Sequence, residues 1–198
     1  MSELLLLSGG VDSAALAAWR RPAACLFIDY GQRPAEGERR AATAVCDALG
    51  IPLEGVQADC SSVGSGSLAS VEVGQASGPT AEWWSFRNQL LVTLGASLAV
   101  RGGETTLLIG TVRDDGHRHA DGRPEFVEAL DRLLSQQEGG VRLSAPAIEM
   151  TTVELVQASG IADSVLAWTH SCHVSSWACG CCTGCQKRQG MLSDLGRL

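Results

Sequence analysis

Positive charge is scarce in this chain of 198 residues. Fifteen Lys and Arg stand against 22 Asp and Glu, a formal net charge of −7 at pH 7, and a single cation, Lys187, is lysine. A protein that coats nucleic acid without sequence preference needs surplus cations to displace counterions from phosphates. The balance therefore speaks against that class, and against direct nucleic-acid partners, while leaving room for a local basic pocket. Long apolar runs are missing as well. Leu4 to Leu7 is four residues with no basic residue before it, too short for an export signal. The most apolar helical stretch, Leu90 to Val100, falls well below the roughly 20 residues a bilayer span requires. A soluble, cytoplasmic protein with no membrane partner is the expectation. Apolar residues make up 45% and charged residues 19%, so a packed core is expected at a length suited to one ordinary domain with a small appendage.

Cysteine is present and unevenly spread. Of eight, Cys25, Cys46 and Cys60 are scattered, whereas Cys172, Cys179, Cys181, Cys182 and Cys185 fall within 14 residues. Without an export signal a disulfide knot is not expected, and thiols this crowded in a reducing compartment bind metal. Cys179 to Cys185 contains two consecutive C-x-x-C steps, with Cys172 seven residues upstream. Four thiolates from Cys172, Cys179, Cys182 and Cys185 can close a tetrahedron around Zn²⁺, and the same ligands suit an iron–sulfur cluster. With no vacant position such a site staples the tail. Cys181 falls out of register, and His173, beside Cys172, is a lesser candidate ligand.

Strand and helix signals alternate along the chain. Glu3–Leu7, Ala24–Ile28, Leu53–Ala58, Thr105–Ile109 and Val141–Ala145 read as short buried strands. Val11–Trp19, Glu36–Leu49 and Phe86–Arg101 read as helices, as does a segment faced by Phe126, Leu130, Leu133 and Leu134. Cys60–Glu82 reads as a long Ser- and Gly-rich loop, Thr111–Gly122 as a polar loop, and Thr151-Thr-Val-Glu154 as a capping box opening a short helix. The alternation predicts an α/β fold, a doubly wound parallel sheet with binding loops at the carboxyl ends of its strands.

The loop after the first strand reads Ser8, Gly9, Gly10, Val11, Asp12, Ser13. Paired glycines let backbone N–H groups converge on one anion, and the following helix N-terminus adds partial positive charge. The Ser8 and Ser13 hydroxyls are further donors. Asp12 is out of place in a bare anion site unless it orients the loop or holds Mg²⁺.

This Ser-Gly-Gly-Val-Asp-Ser segment resembles the PP-loop ATP pyrophosphatases, which split ATP between the α and β phosphates to adenylate an oxygen. Asp29-Tyr30-Gly31-Gln32-Arg33, Arg87-Asn88, Asp121-Gly-Arg123-Pro-Glu125-Phe126 and the Cys172…Cys179…Cys182…Cys185 set narrow the resemblance to the 7-cyano-7-deazaguanine synthase (QueC) family, in order from Leu4 to about Arg188. The resemblance implies a Rossmann-like PP-loop (HUP-type) domain over residues 1–166, with a zinc-binding segment, 167–198, packed on it. It also implies conversion of 7-carboxy-7-deazaguanine, ammonia and ATP to the nitrile through an adenylate and an amide, with ATP, Mg²⁺ and Zn²⁺ bound and usually a homodimer. Carried onto this chain, ATP falls to Ser8–Ser13, Asp29 and Tyr30. The acid falls to Arg33, Trp84, Arg87, Asn88, Asp121 and Arg123, with Asp12, Ser13, Arg87 and Asp121 as the catalytic set. His117 and His119 are candidate bases for the incoming amine.

The chain departs from that pattern at four places. Glu82-Trp83-Trp84-Ser85-Phe86 replaces a Pro-Gly before Arg87-Asn88, the Cys60–Glu82 loop is short, Cys181 is extra, and Thr152 stands where the family usually carries lysine. Such departures suit a paralogue that couples the acid to an amine on a protein, as thought for relatives in antiviral defence loci. A zinc-stapled nucleotide-binding module without turnover is a further reading. A tRNA-thiolating enzyme is disfavoured by the net charge, which offers no tRNA surface.

Overall fold

The computed structural model describes residues 2–69 and 80–197. Its centre is a sheet of five parallel strands, β1 (Glu3–Leu6), β2 (Ala24–Asp29), β3 (Leu53–Gln57), β4 (Thr106–Leu108) and β5 (Arg142–Ser144), in the order β3-β2-β1-β4-β5. The helices are α1 (Val11–Arg20), α2 (Ala35–Leu49), α3 (Arg87–Gly102), α4 (Arg113–Arg118), α5 (Pro124–Leu134), α6 (Thr152–Ser159), α7 (Asp163–Leu166) and α8 (Thr183–Asp194). The doubly wound α/β architecture expected from the strand–helix alternation is the one observed.

Successive side chains on a strand point to opposite faces, so a sheet covered on both sides needs apolar residues at every position. Leu5, Leu7, Cys25, Phe27 and Leu108 pack into one layer with α1, α2, α6, α7 and Met191 of α8. Leu4, Leu26, Ile28, Leu107 and Leu143 pack into the other with α3 and α5. Leu5, Leu16, Leu107 and Leu155 are fully buried, each contributing about 2 kcal/mol of transfer free energy. Among the described residues no helix is long and apolar enough to cross a membrane.

The chain runs outward from β1 through β2 to β3, then returns to the far side of β1 as β4 and β5. The reversal opens a crevice at the carboxyl ends of β1 and β4, the place where open α/β sheets bind ligands.

Three differences from the sequence expectations have physical causes. The stretch 111–122 contains α4 and a 3-10 turn over Ala120–Gly122. None of α4's residues is buried, so it shows no apolar period, and Asp115 holds it by accepting a 3.1 Å bond from Val112 N. Phe86 does not open α3: it is left-handed (φ 59°), and the helix starts at Arg87. The tail contains α8, which places Met191 in the core and packs the partly buried Leu192 against it. The Cys60–Glu82 loop includes 3-10 turns at Ser61–Val63 and Gly66–Leu68, and its residues 70–79 lie outside the described residues.

Candidate functional site

The crevice is built first by the turn from β1 to α1. Gly9 has φ +78°, and a Cβ there would stand 2.6 Å from Glu38 O and 2.8 Å from the Ala41 Cβ, so only glycine fits against α2. From the tail, His170 N donates to Gly9 O at 2.9 Å. Ser13 Oγ donates to Gly10 O at 3.1 Å and lies 3.3 Å from Ser8 Oγ. The first intrahelical bond runs from Ala14 N to Gly10 O at 3.0 Å. The amides of Val11, Asp12 and Ser13 therefore have no intrahelical partner, and their residues line the crevice. On the other side a Cβ at Gly110 would meet Ser13 Cα at 2.9 Å, so the exit of β4 presses directly on this first turn.

The cavity has about 330 Å³, within the size range of small-molecule sites, and opens to solvent. It has two differently furnished ends. At the first, Lys187 on α8 places Nζ 3.1 Å from Asp12 Oδ2 and 3.2 Å from Asp115 Oδ1. Burial holds the Asp12 carboxyl above the usual carboxylate range, although the Lys187 ammonium pulls it down. Asp12 Oδ1 and Thr152 Oγ1 are both buried and face each other, short of an ordinary hydrogen bond.

The second end is a buried polar network. Gln32 Nε2 donates to Glu38 Oε2 at 2.8 Å and to Ile28 O at 3.3 Å, while Gln32 Oε1 accepts from Tyr30 N at 2.8 Å. Burial pushes the Glu38 carboxyl up to about 7, against the opposing pull of Gln32 and Arg87. Burial also raises the Tyr30 hydroxyl. Tyr30 meets Trp84 edge-on, ring centroids 5.0 Å apart. Arg118 pairs with the buried Glu82, and His119 Nε2 lies 3.8 Å from the same carboxylate. Burial lowers His119 and His173, which keeps both imidazoles neutral at pH 7.

Of the residues expected from the sequence, Ser8, Gly10, Val11, Asp12, Ser13, Tyr30, Arg87 and Asn88 line this one cavity. Gly9 stands behind the loop and shapes it. The Asp29 carboxylate accepts from Gly31 N at 3.0 Å and shapes the following turn. Trp84 is buried on Tyr30 and, with Asp121 and Arg87, borders a small adjoining cleft. Arg33 and Arg123 do not reach the cavity: Arg33 is exposed with its backbone tied to Leu68 O, and Arg123 is exposed with Nε on Gly116 O at 3.2 Å. His117 is exposed too. Of the three candidate arginines only Arg87 enters. His119, the candidate base, lines the cavity too, as do Gln32 of the Asp29–Arg33 motif and His173, which the sequence offers only as a metal ligand; Lys187, Arg188, Asp115, Glu38 and Arg118 line it without having been anticipated. The lone lysine of the chain was the one visible signal among them.

The thiols of Cys172, Cys179, Cys182 and Cys185 all lie within 4.8 Å of one another, with 3.9 Å between Cys179 and Cys185 and between Cys172 and Cys182. Tetrahedral coordination with metal–sulfur bonds of about 2.3 Å requires sulfurs about 3.8 Å apart, so the four fit a metal ion. Backbone N–H groups of Cys181 and Cys182 lower the Cys179 thiol to about 6, whereas burial raises Cys185 to about 12. Cys181 is exposed, 3.7 Å from Cys179, and His173 Nδ1 sits 3.2 Å from Thr183 Oγ1, both outside the foursome. Cys182 also caps α8, its Sγ accepting from Cys185 N at 3.5 Å, so the helix that carries Lys187 starts from the cluster.

A model of the QueC family, described as queuosine biosynthesis protein QueC, matches residues 2–196. The 7-cyano-7-deazaguanine synthase of Synechococcus sp. (strain RCC307) is 32% identical over 214 residues, covering 99% of this chain and 96% of its own length. That of Methanoculleus marisnigri is 32% identical, covering 96% and 93%, and that of Chlorobaculum parvum is 29% identical, covering 99% and 93%. Among solved structures, the U34-tRNA thiolase NcsA from Methanococcus maripaludis with its [4Fe-4S] cluster superimposes with a TM-score of 0.56 at 16% identity. The match takes in 98% of this chain and 65% of that one, a likeness of fold.

Proposed function

Since this chain belongs to the QueC family, we propose that it transfers AMP from ATP to the carboxylate of 7-carboxy-7-deazaguanine and passes the activated acyl group to an amine. The observation that carries this reading is the joining, in one cavity, of an open helix N-terminus behind a glycine turn with a guanidinium, Arg87, at the far end. A carboxylate is a poor electrophile, and adenylation gives it a good leaving group. The acid oxygen attacks the α-phosphorus and pyrophosphate departs. Charge then grows on the departing oxygens, where the open amides of Val11 to Ser13 and the Ser8 hydroxyl can donate. Asp12, with one oxygen unbonded, is placed to hold the magnesium ion that accompanies the nucleotide.

At the other end Arg87 suits the acid's carboxylate, since a guanidinium fork binds two oxygens at once. Glu38, Gln32 and the Tyr30 hydroxyl supply acceptors and donors for a guanine-like edge. His119, neutral at pH 7, can take a proton from the incoming amine. The four cysteines would hold a zinc ion, which with no open coordination position serves to fix the tail.

The test is incubation of purified protein with Mg·ATP and 7-carboxy-7-deazaguanine, with and without ammonium, following AMP, pyrophosphate and product masses. AMP that forms only when the acid is present, with amide or nitrile when ammonium is added, is expected. AMP formation indifferent to the acid would overturn the reading. Adenylate that ignores ammonium and instead adds mass to a polypeptide would assign the amine to a protein partner.

A further inference from the structure

We propose that Lys187 is a phosphate-binding residue of the nucleotide site, stored between Asp12 and Asp115 until a nucleotide with its magnesium ion displaces it. The proposal rests on the reading that the cavity takes ATP and adds a residue that the phosphate loop itself does not contain.

Charge within the cavity demands such a group. Asp12 and Asp115 both face the space in front of the open α1 terminus, where they repel an incoming polyphosphate. Lys187 cancels only one of these two charges. Its ammonium bonds one oxygen of each carboxylate, at 3.1 and 3.2 Å. Two of its three donors are thus engaged among the described residues, and the third is left for a ligand oxygen. The other Asp12 oxygen is buried and unpartnered, a ready ligand for a hard divalent cation. A magnesium ion arriving with the nucleotide neutralises the carboxylates and frees the ammonium for the phosphates. No covalent bond changes in this exchange; only partners do.

The scaffold permits the movement. The backbone of α8 is fixed by Met191 in the core and by Arg188, which donates to Thr169 Oγ1 at 3.2 Å. The Lys187 side chain keeps 31% of its surface exposed and so has room to change rotamer. The chain uses arginine at its other 14 cationic positions. An ammonium differs from a guanidinium in being a compact charge that can change partners by bond rotation.

Because Lys187 is the sole lysine, an amine-selective acylating reagent can modify only it and the chain's α-amine, which serves as internal control. In the full chain, magnesium with pyrophosphate or with a non-hydrolysable ATP analogue is expected to slow acylation of Lys187 at least about tenfold, leaving the α-amine unaffected. AMP is expected to give no protection. Equal labelling with and without pyrophosphate, or protection by AMP alone, would overturn the proposal. Lys187→Met is expected to weaken the ATP analogue by about 10- to 100-fold, the worth of a charge-assisted bond, with AMP affinity and metal content unchanged. Lys187→Arg is expected to recover most of that loss. An equal fall for AMP and the analogue would show a prop for the loop and sink the idea. Asp115→Asn, which removes one competitor for the ammonium, is expected to tighten pyrophosphate binding without magnesium, and weaker binding would count against the exchange. None of these measurements uses the acid. Protection by pyrophosphate without acid-dependent AMP would end the proposed function and support this one, and acid-dependent AMP with Lys187 freely labelled would do the reverse.

Discussion

The anion cradle at one end of the cavity is made chiefly of backbone, and the other end is made of side chains. At the phosphate end, six consecutive residues from Ser8 to Ser13 do the positioning, and the donors are mostly amides that no substitution but proline removes. At the acceptor end, Tyr30 and Gln32 follow β2, Glu38 lies on α2, Glu82 comes from a loop, Arg87 from α3 and Arg118 from α4. The amide cradle of the first end is damaged by moving the chain, and of its surroundings only the Asp12, Asp115 and Lys187 side chains can be exchanged singly. The second can be retuned one group at a time, which is the property a family needs if its members are to share ATP and differ in what they activate.

The sharpest test of that contrast is Gly9→Ala. A single methyl there meets backbone at 2.6 Å in a left-handed conformation, so the loop must shift as a unit. Acid-dependent pyrophosphate release is expected to drop more than about a thousandfold, with a loss of roughly 3 kcal/mol in chemical denaturation. A variant with ordinary turnover would show that the loop's shape is not what the first end depends on.

Glu38→Gln probes the second end through pH. The carboxyl sits at about 7 in the folded chain against an ordinary value of 4.5. Between those values the folded form holds a proton that the unfolded form has lost. Its stabilisation is complete below pH 4.5 and disappears as pH rises through 7. Denaturation at pH 4.5 and 8 is expected to show the unaltered chain losing about 3 kcal/mol more than the glutamine variant across that window. Parallel profiles would mean that Glu38 is not buried as an acid. Arg87→Met comes next: KM for the acid is expected to rise about 30-fold, roughly 2 kcal/mol, with nucleotide affinity held within twofold. Equal weakening of both would erase the division between the two ends.

The same contrast explains what could be read from the amino acids. The Ser8–Ser13 loop, the five strands and the four-cysteine set are local patterns, each defined by spacing along the chain. The Gln32–Glu38 network was not legible, because what buries a polar pair is the layer packed over it, and α2 announces only Gly37, Ala41, Ala42, Val45 and Cys46 as its inner face. Lys187 stood out by composition alone. Its placement depends on α8, a helix with little apolar signal that is begun by Cys182 and seated by Met191. Arg33 and Arg123 looked equivalent to Arg87 as charges after a turn, and only the path of the chain separates the one that enters the cavity from the two that do not.

The smallest effect tests whether the second end also stores strain. Phe86 directly precedes Arg87, holds φ at 59° and leaves 77% of its surface exposed, so neither its backbone nor its ring is repaid by burial. A bulky residue in this conformation costs about 1 kcal/mol, and such costs persist where they aim a functional neighbour. Phe86→Gly removes the cost and is expected to raise stability by about 1 kcal/mol, less whatever entropy the glycine adds to the unfolded chain. If the left-handed turn exists to start α3 at Arg87, the stabilised variant should still bind ATP as before but show a KM for the acid several-fold higher, because the entry to the helix is now free to vary. A gain in stability with no change in either constant would make the turn a mere connection and leave Arg87 positioned by α3 alone.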